Sequence, residues 1–176
     1  DHAGDFLKLL GSGREYDARF FYEVQDRPEG LAQAFIIGKE FIGGDNVTMI
    51  LGDNIFEDDF GETIRNFQSG GHVFAKKVSD PERFGVVKFD EKMKAVEIAE
   101  KPKQHISDYA VTGLYIYDNR VVEIAKQVKP SERGELEITD LHNWYLRRGE
   151  LKVDIVNGAW IDAGTFEALL QAGELA

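Results

Sequence analysis

The chain has 176 residues, 43% of them hydrophobic and 30% charged, which allows one domain with a real core and excludes two large ones. Its 32 acidic residues outnumber its 21 basic ones, for a formal charge of −11. Such a surface repels a polyanionic duplex and argues against a nucleic-acid partner, although a local cluster of Lys, Arg and a cation can still hold a small anion. There is no cysteine, so disulfides and Cys-ligated zinc are excluded and a reducing cytoplasm is the expected location. No apolar run reaches membrane-spanning length and no signal-peptide pattern follows Asp1, so no membrane partner is expected.

Taken in chain order, Phe6 to Leu10 suggests a short helix stopped by Gly11 and Gly13. Arg19 to Val24 (Arg-Phe-Phe-Tyr-Glu-Val) has the composition of a strand, and Leu31, Ala34, Phe35 and Gly38 recur at helical spacing after the turn Arg27-Pro28-Glu29-Gly30. Val47 to Leu51 is short, apolar and unbroken, the pattern of a central strand buried on both faces. A helix is predicted over Asp59 to Phe67 and a strand over His72 to Val78. Phe84 to Phe89 and Ala95 to Ile98 flank the polar turn Asp90-Glu91-Lys92 as a hairpin does. Tyr109 to Tyr117 reads as a long strand, Val121 to Val128 and Ile138 to Leu146 as helices, Leu151 to Val156 as a strand and Thr165 to Ala172 as a closing helix. The alternation predicts an α/β layered, Rossmann-like fold: one domain over residues 1–176, with a mostly parallel central sheet and an antiparallel insertion.

Several short runs offer chemistry and, beside it, a purely local role. Gly52-Asp53-Asn54 follows an apolar strand directly, at the carboxyl end where α/β sheets collect ligands. There Asp53 suits either a hard cation beside phosphate oxygens or a turn whose backbone it bonds. Gln25 and Gly30 bracket a turn; the Gln amide can meet the N3–H and O4 edge of thymine or uracil, or simply face water. In Glu100-Lys101-Pro102 the acid can accept from sugar hydroxyls and the lysine can neutralise a sugar phosphate; a surface ion pair is the plain alternative. Arg133 can grip phosphate bidentately, while Glu135, Glu137 and Asp140 suit a helix start on electrostatic grounds alone. Asp162, in Trp160-Ile161-Asp162-Ala163-Gly164-Thr165, is either a turn residue or a second carboxylate for the ion held by Asp53. His2, His72, His105 and His142 have no metal-ligand spacing, and Gly11 to Arg14 follows a helix, so it is a helix stop and not a phosphate loop.

The order and wording of these runs together are distinctive. Val24-Gln25, Glu29 to Ala34, Ile50 to Asn54, Asp80 to Val87, Glu100-Lys101-Pro102, Tyr109 to Tyr115, Arg133 to Asp140 and Trp160 to Thr165 resemble the sugar-1-phosphate nucleotidylyltransferase family, nearest to members that join glucose 1-phosphate to dTTP. The resemblance spans nearly the whole chain. It implies that a phosphate oxygen of glucose 1-phosphate attacks the α-phosphorus of dTTP and releases pyrophosphate, by positioning and charge neutralisation and without a protein nucleophile. It also implies that Gln25, Gly30 and Leu31 hold the base and Asp53 contacts the nucleotide. Asp53 and Asp162 then bind Mg²⁺; Asn54, Gly85, Glu100, Val111, Tyr115 and Trp160 line the sugar pocket; and Lys101 and Arg133 face the sugar phosphate. The family further implies a glycine-rich strand and loop for the triphosphate ahead of Asp1, which these residues lack, and a homo-oligomer of the full-length protein. A uridylyltransferase, or a non-catalytic domain that keeps the sugar pocket, stands as the alternative, since Gln25 suits uracil as well as thymine.

Overall fold

The computed structural model describes residues 3–175. Its main sheet has six strands: β1 (Val47–Ile50), β3 (Gly71–Lys77), β4 (Gly85–Phe89), β5 (Ala95–Glu100), β6 (Tyr109–Tyr117) and β7 (Leu151–Ile155). A separate two-stranded ribbon pairs β2 (Asn54–Phe56) with β8 (Trp160–Asp162). The helices are α1 (Ala3–Leu10), α2 (Gln33–Ile37), α3 (Lys39–Ile42), α4 (Gly61–Asn66), α5 (Val121–Ala125), α6 (Ile138–Leu146) and α7 (Phe166–Leu175).

The predicted α/β layering holds, and the expected parallel character needs a correction of detail. β1, β3, β4 and β7 run in one direction, while β5 and β6 run in the other. Because β6 stands between β1 and β3, the one parallel ladder among the described residues is β3 with β7. The strand buried on both faces is therefore β6 and not β1. From Ala110 to Tyr117 β6 is buried throughout, whereas β1 alternates and leaves Ile50 58% exposed. β1 bonds to β6 on one side and has a free edge on the other among the described residues. The run 19–24, despite its aromatic and β-branched content, forms no ladder; strand propensity needs a partner to become a strand.

The two faces of β3 and β6 carry two cores, as a period of two requires. Val73, Ala75, Val111, Tyr115 and Tyr117 pack beneath Phe35, Val121, Ile124, Ile138, Leu141 and Tyr145, which come from α2, α5 and α6. Phe74, Leu114 and Ile116 face the other way, against Val156, Phe56, Phe60 and Trp160. The first layer is tied down by Asp118, which accepts from the Gly70 N–H (2.7 Å), the Tyr145 hydroxyl (3.0 Å) and the Arg120 guanidinium. Those donors hold its carboxyl below the usual range although burial, the largest single influence, pushes it up. The β4–β5 hairpin turns on Asp90, whose carboxylate accepts from the backbone N–H groups of Lys92 and Lys94, both at 2.9 Å.

The architecture opens a fork. One flank of β6 pairs with β4 at Tyr109 and Ala110 and with β1 from Leu114 to Tyr117. Between those two ladders, Val111, Thr112 and Gly113 have no strand beside them on that flank. The chain leaving β1 crosses this gap as Gly52-Asp53-Asn54.

Candidate active site

The fork is the mouth of a cavity of about 340 Å³, and most of the residues singled out from the sequence line it. Leu31, Asp53, Asn54, Gly85, Glu100, Lys101, Val111, Tyr115, Arg133, Trp160 and Asp162 all meet there. Gln25 and Gly30 stand outside it. The Gln25 amide donates to the Gly30 carbonyl (3.3 Å) and to Gln33. Gly30 has φ +106 and lies so close to the Leu136 backbone that no Cβ could be accommodated. That contact presses the segment 30–32 against the start of α6 and carries Leu31 to the cavity wall.

Asp53 lies at the carboxyl end of β1, as its sequence context predicts, and Asn54 fixes it there. The Asn54 carboxamide oxygen accepts from the Gly113 N–H (2.8 Å) and the Trp160 indole N–H (2.7 Å), and its nitrogen donates to Asp53 Oδ1 (2.9 Å). Asn54 thus caps the unpaired stretch of β6 and orients Asp53 at once. The sequence reading missed Gly113: a Cβ there would stand 2.6 Å from the Asn54 carboxamide, so glycine is what lets Asn54 approach.

The ribbon brings in the second acid. Its register places Asn54 opposite Asp162, and the Ala163 N–H donates to the Asp53 carbonyl at 2.7 Å. Both carboxylates converge over Gly164, whose Cβ position lies 3.3 Å from Asp162 Oδ1 and 3.7 Å from Asp53 Oδ2. Burial, and next the charge of Asp53, push the Asp162 carboxyl up. No ion pair to either acid is formed among the described residues. Two converging carboxylates in need of positive charge suit a hard divalent cation. Among the described residues no group of three or more His, Asp or Glu side chains is placed to hold a metal.

Opposite the acids, Lys101 follows β5 in a left-handed conformation (φ 38), uncommon for a residue with a Cβ and a common mark of functional strain. It has no ion-pair partner within 4 Å among the described residues, yet its charge partly offsets the upward push that burial gives the carboxyls of both Glu100 and Asp162. Arg133 is held in a carboxylate nest, with Glu135 at 2.5 Å, Glu137 at 3.3 Å and Glu100 at 3.8 Å. Burial first, then Glu137, push the Glu100 carboxyl above its ordinary value. Burial and the charges of Glu100, Asp53 and Asp162 keep the Tyr115 hydroxyl protonated. Arg83, Thr139 and His142 also line the cavity without having been singled out as site residues. Arg83 follows Asp80, with which it pairs at 2.8 Å, and its charge reaches Asp162. Of the histidines, His72 bonds Asp154 at 2.9 Å, His105 lies 3.4 Å from Asp108, His142 is buried, and His2 lies outside the described residues.

The layered α/β fold thus brings two acids at a strand end and the basic residues Arg83, Lys101 and Arg133 into one cavity. The model of the nucleotidyl transferase family matches residues 1–176, and the chain belongs to that family. It is similar to glucose-1-phosphate thymidylyltransferase of Neisseria meningitidis serogroup A, 55% identical over 173 residues, or 95% of this chain and 60% of that protein. It is 49% identical to the protein of the same name from Mycolicibacterium smegmatis, over 96% of this chain and 60% of that one. A crystal structure provisionally assigned as a Bacillus anthracis glucose-1-phosphate thymidylyltransferase, in complex with a sucrose, superposes with a TM-score of 0.90 at 49% identity, covering 98% of this chain and 71% of that one. A UDP-glucose pyrophosphorylase complexed with UDP-glucose shares the fold at 24% identity, with a TM-score of 0.80. The chain thus spans about 60% of the length of the first two relatives. No helix among the described residues is long and apolar enough to cross a membrane.

Proposed function

We propose that the chain carries the metal and sugar-phosphate side of a cytoplasmic glucose-1-phosphate thymidylyltransferase. The observation that carries the reading is the convergence of Asp53 and Asp162 in the cavity that also presents Lys101, Glu100 and Arg133. In this reaction a phosphate oxygen of glucose 1-phosphate forms a bond to the α-phosphorus of dTTP, the bond from that phosphorus to the bridging oxygen breaks, and pyrophosphate departs. Lys101 neutralises the attacking phosphate, and Arg133 turns from its carboxylate nest to share that charge. Glu100 accepts from sugar hydroxyls, while Gly85, Val111, Tyr115 and Trp160 shape the sugar pocket and exclude water. Asn54 contributes to the same pocket and keeps Asp53 aimed. Gln25, Gly30 and Leu31 form the base side. Asp53 and Asp162 would hold Mg²⁺, which when bound supplies positive charge beside the nucleotide phosphates.

On the same proposal, residues 1–176 are one nucleotidyltransferase domain, and the glycine-rich strand and loop for the β- and γ-phosphates belong to a longer parent protein that assembles as a homo-oligomer. The free edge of β1 and the unpaired extended run 19–24 support this reading. The test is pyrophosphate release from dTTP and from UTP with several sugar 1-phosphates, using both the 176-residue chain and a chain extended to the relatives' length. The extended chain should turn over dTTP with glucose 1-phosphate in preference to other pairs. The 176-residue chain should be poorly soluble and give no dTDP-glucose. A preference for UTP would move the assignment to a uridylyltransferase, and full activity of the short chain would mean that the triphosphate site is misplaced.

A further inference from the structure

The ribbon that bears Asp162 and begins directly after Asp53 has three rungs, Asn54 with Asp162, Ile55 with Ile161 and Phe56 with Trp160, and joins no other strand among the described residues. An isolated two-stranded ribbon is marginal by itself. One end carries the carboxylates of Asp53 and Asp162, which converge over Gly164. The other end is tied to the loop 156–159. The Glu57 N–H donates to the Ala159 carbonyl at 3.0 Å, extending the ladder one step. Asp58 then accepts from two successive backbone N–H groups, Asn157 at 2.8 Å and Gly158 at 2.7 Å, and Glu57 accepts from Ala159 N–H at 2.8 Å. A Cβ at Gly158 would collide with Asp58 Oδ1, so glycine is what lets the acid seat there.

The other side of the same loop is held by a single cation. The Lys76 ammonium, from the end of β3, donates to the carbonyls of Val156 (3.3 Å), Asn157 (3.0 Å) and Gly158 (2.7 Å). An ammonium has three protons, and here each has a carbonyl. The loop 156–159 is thus clasped on its carbonyl side by one lysine and on its amide side by two acids. We propose that Lys76 and Asp58 are positioning residues for the Asp53–Asp162 pair: by clasping the far end of the β2–β8 ribbon they set the spacing of the two carboxylates that receive the metal. The inference rests on the metal reading given under Proposed function. Neither residue lines the cavity, so each acts through the ribbon.

The experiment measures Mn²⁺ binding by EPR titration in the full-length protein, with dTTP present, alongside thermal midpoints and kcat. Lys76→Met, which keeps the stem and removes the charge, should weaken Mn²⁺ binding roughly tenfold, the lower end of what loss of outer support costs a metal site. Asp58→Asn should do the same, and Lys92→Met, on the hairpin turn, should not. In Lys76→Ala, methylammonium should restore Mn²⁺ binding by filling the carbonyl cage, and tetramethylammonium, which has no N–H, should not. Where Lys76→Met does not fold, Asp58→Asn and the methylammonium rescue decide. Mn²⁺ binding that depends on Asp53 yet is unchanged in Lys76→Met and Asp58→Asn would overturn this inference alone. Binding indifferent to Asp53→Asn would overturn the metal reading and the inference with it.

Discussion

His142 gives the sharpest quantitative expectation. It sits on α6 at 0% exposure between the rings of Tyr115 (5.1 Å) and Tyr117 (6.2 Å), and among the described residues neither ring nitrogen has a hydrogen-bond partner. Burial alone lowers its pKa from 6.5 to about 3. In the unfolded chain the imidazole takes a proton as pH falls below 6.5, while in the folded protein it stays neutral until about pH 3, so acid favours unfolding across that window. Linkage puts the loss relative to pH 8 at about 1.4 kcal/mol at pH 5.5 and about 2.7 kcal/mol at pH 4.5. The assay is urea unfolding at pH 8 and 5.5 for the wild-type protein and His142→Leu. His72, also lowered by burial, titrates in both proteins and cancels in the difference. The wild type should lose about 1.4 kcal/mol more than the variant over this interval, whatever the variant's absolute stability. Equal losses would refute the reasoning, because they would mean that the folded protein protonates or solvates this imidazole.

The other expectations concern the cavity. Asp53→Asn in the full-length protein should lower turnover by about two orders of magnitude or more, with a thermal midpoint unchanged or slightly raised because Asp162 loses a repulsive neighbour; unchanged turnover at saturating Mg²⁺ would remove the proposed ligand role. Lys101→Ala should cost roughly 2–4 kcal/mol of transition-state stabilisation in kcat/KM. Lys101→Gly should lose the same activity yet gain about 1 kcal/mol of stability by relieving the left-handed backbone; a loss in kcat/KM below about threefold in either would make Lys101 an ordinary surface lysine. Gly113→Ala should push Asn54 out of its bonds, costing about 1–3 kcal/mol in unfolding free energy and most of the activity; a crystal structure with Asn54 unmoved would contradict this.

Much of the molecule is legible where local pattern and final burial agree. α6 spans Ile138–Leu146 and β6 spans Tyr109–Tyr117, the bounds that apolar spacing predicts, because each buries the face its period defines. Asp53 is legible for a similar reason: an acid after an apolar strand and a glycine must sit at that strand's end. The three-residue strands β2 and β8 escape detection, since three residues carry no usable period. Lys76 reads as an unremarkable strand residue because its partners lie 80 to 82 positions away.

The sequence by itself determined the α/β class and the approximate place of most long elements, and its resemblance to the family, more than any single motif, grouped Asp53, Glu100, Lys101, Arg133 and Asp162, which line one cavity. Tertiary structure alone decided which strand is central. Val47–Ile50 and Tyr109–Tyr117 are both apolar runs, and composition cannot say which has neighbours on both sides. It also decided that Arg19 to Val24 stays unpaired and that Asn54 bonds Gly113 and Trp160, 59 and 106 residues away. Those outcomes depend on which backbone groups find one another across the chain, and a hydrogen bond between distant segments leaves no periodic trace in either of them.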